Sequence, residues 1–275
     1  MTAESEGRAA AEQFRSEYRL GHQPLGNLVA LIEQTAEIDV TVVKATPDEH
    51  GMAMRDPARG RVFVAVAKTP HPMRQRSTLA HELAHVLFGD WDDTASGGRA
   101  DRSFEEVRAD AFARHLLVPE AGLKELFAGR RPVGLAGLST VVQRFLVSPA
   151  MAAIALQRAG LIDEATGDTW RQLTTPVLAA RFGWTDQYQG LREESDRTRA
   201  PQRLLARATL AYTEQVVPVE TLARLRDVKV SEVQAELEAA GLVPHVQPPA
   251  WAGPDDLPQV EVDLSDLDDM AEDRS

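Results

Sequence analysis

The stretch STLAHELAHVLFGD, residues 77–90, places two histidines four apart with a glutamate directly after the first. On an α-helix, positions i and i+4 differ by about 40° in direction, so His81 and His85 point the same way and can converge on one ion. Glu82, one step round, falls beside that ion rather than on it, where a carboxylate can act as a base on water. The competing reading is an amphipathic helix whose histidines are merely half-buried. Leu79, Ala80, Leu83, Ala84, Val86, Leu87 and Phe88 surround them with apolar residues on nearly every side. Two histidines and a glutamate in so buried a helix are costly unless they have partners.

A hydrolytic zinc site takes three protein ligands and keeps one position open. The chain has no cysteine, so His, Asp or Glu must supply them and a Cys-rich structural site is excluded. The stretch FEEVRADAFARHLLVP, residues 104–119, offers the third. Glu106 and Asp110 stand at i and i+4, and Ala113 and Leu117 continue their face, so both carboxylates project toward whatever that face packs on. Glu106 would ligate, and Asp110 would orient His81 from behind. Glu105 is the rival ligand but sits about 100° round the helix. His115 falls on the side opposite Glu106. His22, His50, His71 and His245 read as surface or loop residues, with His71 near the start of the first metal helix and a candidate for the cleft rim.

TLAHELAH followed by EEVRADAFARHLLVP resembles the ImmA/IrrE family of zinc-dependent peptidases, whose pattern is an AHELGH-like helix and then E-x-x-A-[ND]-x-F-A-x-x-LL-x-P. The likeness covers roughly residues 10–162. Carried over position by position, it implies His81, His85 and Glu106 as metal ligands and Glu82 as the catalytic glutamate. The implied cofactor is Zn2+, with Mn2+ as the alternative. This sequence departs from the pattern at Ala84, where glycine is usual, and at Arg108, where a second glutamate is common; neither position is a ligand. Family members act by cleaving helix-turn-helix repressors in phage, mobile-element or stress-response circuits, so the resemblance also implies that substrate. A non-catalytic metal-containing regulator that binds such a partner is the alternative, and the intact Glu82 argues against it.

Around these motifs the periodicity predicts an α+β chain with a mainly helical C-terminal module, and the resemblance implies that the part before it is a small zincin-like metallopeptidase domain. Residues 8–35 have helical spacing broken at Gly21 to Pro24. DVTVVKA at 39–45 and RVFVAVA at 61–67 alternate and are rich in β-branched residues, as strands are, with GMAMRD between them. RVFVAVA is the expected sheet edge for an added substrate strand. Helices are expected over 72–89 and 104–118, a surface loop over 90–103, and a helix pair ending at 162. A polar linker is expected near 164–200, then further helix over 201–243. The domain limits so expected are 1–165, 166–250 for a partner-recognition module, and 251–275 for an acidic disordered tail.

Residues 254–275 carry nine acids and one arginine, which is most of the net charge of −12. Neither the tail nor the mildly acidic remainder has the basic balance of a nucleic-acid binder. VSPAMAAIALQRAGLI (147–162) and VSEVQAELEAAGLV (230–243) echo each other and resemble the second helix of a helix-turn-helix, but where a DNA reader presents cations and amides the first offers mostly Ala, Met and Ile and the second Glu232, Glu236 and Glu238. They read instead as helical packing units. The N-terminus lacks the basic and apolar runs of a signal peptide, and no stretch approaches the roughly 18 apolar residues of a membrane span, so a cytoplasmic location is expected. An oxyanion donor is also expected, and Tyr188, Tyr212, His115 and His71 are candidates among which the sequence does not choose.

Overall fold

A computed structural model describes residues 2–46, 51–91, 103–129 and 133–245. His50, most of the 90–103 loop and the 251–275 tail lie outside the described residues. The chain begins with α1 (Ala3–Glu17), whose N-cap Thr2 forms a capping box with Ser5, and α2 (Leu28–Thr35), capped by Asn27. Three strands follow: β1 (Asp39–Val43), β2 (Gly51–Arg55) and β3 (Val62–Ala67). Their order is β1-β3-β2, with β1 parallel and β2 antiparallel to β3.

This order corrects the expectation that RVFVAVA is the sheet edge: β3 is the central strand. Its near-continuous apolar run suits a strand covered on both faces, with Val64 and Val66 fully buried. The edge is β2, the unassigned GMAMRD segment, where Met52 and Met54 are exposed. The outer side of β1 is closed by paired hydrogen bonds between Val42 and Arg199.

Next come α3 (Pro72–Phe88) and α4 (Phe104–Leu117). Proline occupies the first position of α3, and Gly89, at φ 73° in the left-handed region, ends it. The helix α4 is capped by Ser103, whose hydroxyl accepts from the Glu106 N–H. It packs on α1 so closely that a Cβ at Gly7 would lie 2.3 Å from the Arg108 carbonyl oxygen. The short α5 (Glu120–Leu126) leads to α6 (Leu135–Phe145) and α7 (Pro149–Arg158), bent at 112° to each other about Leu146. By length and composition that pair alone, among the described residues, could pass as a broken membrane span, but Leu138, Val141, Val142, Ala152, Ala153 and Leu156 are fully buried in the core. Among the described residues, no single helix is long and apolar enough to cross a membrane.

The expected linker at 164–200 is instead three helices, α8 (Glu164–Arg171), α9 (Thr175–Phe182) and α10 (Thr185–Ser195). Each is short and polar outside but anchored inside by a few large residues: Trp170, Leu178, Trp184 and Tyr188 join the main core. The Trp184 indole N–H donates to the Ser139 hydroxyl at 3.0 Å. The core therefore continues past residue 165. A second, smaller core of Ala208, Leu222, Ala223, Val233 and Leu237 holds together α11 (Gln202–Thr213), α12 (Val219–Arg226) and α13 (Val230–Ala239). The echo between the helix pairs extends to their joints, where Leu146 and Asp227 both adopt positive φ. It does not extend to their caps: Ser148 caps α7, whereas Ser231 lies inside α13 behind the N-cap Lys229.

Candidate metal centre

The facing sides of α3 and α4 bring His81, His85 and Glu106 together, with one donor atom from each lying within 4.8 Å of the others. His81 Nε2 and His85 Nε2 are 3.0 Å apart, Glu106 Oε2 is 3.3 Å from the first, and Oε1 is 3.4 Å from the second. Three ligands each about 2.0–2.1 Å from a tetrahedral ion stand about 3.3 Å from one another, so the spacing fits zinc.

The tautomers make the same point. Asp110 Oδ1 lies 3.0 Å from His81 Nδ1, and Asp90 Oδ2 lies 3.4 Å from His85 Nδ1. With each Nδ1–H directed at a carboxylate, both Nε2 lone pairs turn inward toward each other and toward Glu106. Such a cluster is favourable only with positive charge at its centre, whether a proton or a cation. Burial disfavours a charged imidazole at His81, but the Asp110 and Glu106 carboxylates outweigh it and push its pKa up to about 9. Hydrogen bonds from the two histidines hold Glu106 far below the usual carboxylate range.

Glu82 lies beside this group and not in it. Burial pushes its carboxyl above the ordinary range, against the pull of the two histidines and of the Ala53 N–H that donates to it from the sheet edge. The contact between α3 and β2 is tight: a Cβ on Gly51 would come within 2.7 Å of Glu82 Oε1 and 2.6 Å of Thr78 Cγ2. Glu105 is not part of the group, and its own backbone N–H and the Ser103 hydroxyl keep its pKa low.

Two groups of contributors escaped the sequence reading, Asp90 with Arg108 and the β2 residues Gly51 and Ala53. Asp90 is clamped by Arg108 through bonds of 2.8 and 2.9 Å, and the Arg108 guanidinium also lies 3.9 Å from the centroid of the Phe88 ring. Arg108, the departure from the family pattern, thus reaches His85 at one remove. The only advance signal was an acid directly after the helix-ending Gly89. Gly51 and Ala53 carried no signal beyond a glycine at a strand start.

These groups line a cleft of about 1120 Å³ that runs from Gly51, Met52 and Ala53 past the metal centre to Met151, Ile154 and Arg158 of α7. None of the four expected oxyanion donors lines it. Tyr188 is buried in the core and Tyr212 packs on the second core. His71 is the exposed N-cap of α3, and His115 is bonded to Glu4 at 3.0 Å. His22 pairs with Glu125 on the surface, and His245 is exposed.

No curated protein gives a significant match to the chain. Residues 35–157 match the family model Peptidase_M78, the IrrE N-terminal-like domain, and span β1 to α7 with every residue of the metal centre. With that match and the paired α3 and α4 motifs, residues 35–157 form an IrrE N-terminal-like, metallopeptidase-type domain.

Proposed function

We propose that the protein is a zinc-dependent endopeptidase that cleaves a helix-turn-helix repressor. The observation that carries the reading is the convergence of His81, His85 and Glu106 with a second carboxylate, Glu82, half-buried beside them. A purely structural site needs no such base. His81, His85 and Glu106 would hold the ion, with Asp110 and Asp90 fixing the imidazole orientations. Zn2+, or Mn2+ in its place, supplies Lewis acidity when bound, which activates water and polarises a carbonyl.

Glu82 takes the proton from the attacking water and returns it to the leaving amine; burial raises its pKa above the ordinary carboxylate value, which makes it a stronger base. The free edge at β2 aligns the substrate backbone, which adds to the sheet as another strand in front of Glu82. The Ala53 N–H, already directed into the cleft, holds the Glu82 carboxylate in place.

The helix-turn-helix substrate rests on the family resemblance. It is tested by incubating the zinc-loaded protein with any helix-turn-helix protein found to be encoded beside it and identifying fragments by mass spectrometry. A single internal cut that disappears with a chelator is expected; an intact partner under conditions where the protein holds its metal would contradict the substrate.

A further inference from the structure

At the α7 end of the cleft, three basic side chains converge on one carboxylate oxygen. Glu4 Oε1 accepts from Arg114 and from His115 Nε2 at 3.0 Å, and Arg158 Nη1 forms an ion pair with it at 2.7 Å. Arg114 and His115 are buried behind it, each with a side chain 11% exposed, whereas Arg158 is 49% exposed. Glu4, Arg114 and Arg158 line the same cleft as the metal centre, with Met151 and Ile154 as the apolar wall leading to them. These three α7 residues, at positions 151, 154 and 158, share one helical face. Burial holds the His115 pKa down, so at neutral pH the cluster carries two guanidinium charges against one carboxylate. Apart from Lys44 at the opposite end, the other charged groups of the cleft are the carboxylates around the metal centre.

We propose that Arg158 and Arg114 form a subsite that takes an acidic side chain of the substrate, with Arg158 as its specificity-determining residue. The inference rests on the peptidase reading and deepens it. Glu4 shows that the cluster binds a carboxylate, and the half-exposed guanidinium of Arg158 leaves charge for a second one in the cleft. Distance sets the position. Glu106 and Arg114 are eight residues apart on α4, about 12 Å along the axis, which an extended peptide covers in three or four residues. An Asp or Glu three or four positions from the scissile bond, on one side of it only, is therefore favoured. Glu4 and Arg158 lie outside residues 35–157, which match the family model, whereas Arg114, Met151 and Ile154 lie inside them.

The test uses the full-length, zinc-loaded protein and denatured casein as the probe, with cleavage sites mapped by mass spectrometry. Wild type should show a three- to tenfold enrichment of Asp and Glu at one fixed position three or four residues from the cut, the range of a partly exposed ion pair. Arg158→Gln should abolish the enrichment, and Arg158→Glu should turn it into a preference for Lys and Arg. Cuts without acidic enrichment, or enrichment that survives Arg158→Glu, overturn the subsite and leave the peptidase reading standing. If wild type makes no cuts, that counts against the peptidase reading. The subsite is then decided by fluorescence anisotropy of a labelled Glu-containing decapeptide against its Gln counterpart: equal affinities, or affinities unmoved by Arg158→Glu, overturn it.

Discussion

His81, Glu82, His85, Glu106 and Asp110 could be picked out from spacing alone, because a helix converts i and i+4 into a shared direction. Glu105 and Glu106 are neighbours of the same chemistry, and only helical phase separates them: Glu106 faces the histidines, and Glu105 is not part of the group. Glu106→Ala should empty the metal centre while Glu105→Ala leaves metal content unchanged, as read by elemental analysis; the reverse result would place the wrong carboxylate in the site. Asp90 and Gly51 were invisible in the sequence because their roles arise only when α4 and β2 arrive beside α3. Asp90→Ala and Asp110→Ala should each weaken metal affinity by about 10–100-fold in a chelator competition, since each removes the acceptor that fixes one imidazole. An unchanged affinity in Asp90→Ala would mean that the 3.4 Å contact to His85 does not orient the ring.

At the scale of elements, α3 and α4 were legible from their breakers: Pro72, Gly89 and Pro119 all mark ends that the structure keeps. Strand order was not legible, since β3 and β1 look alike as short β-branched runs and nothing local tells a central strand from an edge. The exposed methionines of β2 and the buried valines of β3 make the distinction only after pairing. Helices α8 to α10 were hidden for a related reason. Their polar average masks the few anchors, Trp184 and Tyr188 among them, that hold them to the core. The Ala53 N–H bonds to Glu82 instead of to β3, so Ala53→Pro should leave the sheet paired, as an edge strand tolerates proline where its N–H faces outward. Cleavage should fall while metal content stays near one per chain. Undiminished cleavage would show that the edge does not hold Glu82.

Across the whole molecule, one core ties the metallopeptidase domain to α8–α10, and a second, smaller core closes α11–α13. Arg199 bridges the two regions through β1 and Glu33, and the Gln202 N–H donates to Glu33 at 2.9 Å. A fragment ending at residue 165 would lack Trp170, Leu178, Trp184 and Tyr188. It should fail to fold, although the family match itself ends at residue 157. Within the full chain, Trp184→Ala should cost about 3–5 kcal/mol in urea unfolding, the usual loss for a large buried aromatic. A loss below about 1 kcal/mol would mean that α10 is not part of the cooperative core. Composition could not reveal this arrangement, because a boundary drawn from polarity follows the outer faces of helices and the core follows their inner ones.

Glu82→Gln tests the central claim most directly. The amide keeps the size and hydrogen-bonding reach of the side chain but cannot take a proton from water. The variant should hold about one metal ion per chain, as wild type does, while cleavage of casein or of the partner repressor falls by several orders of magnitude. Full cleavage by Glu82→Gln, with metal content equal to wild type, would contradict the assignment and leave α3 as a metal-holding helix without a catalytic base.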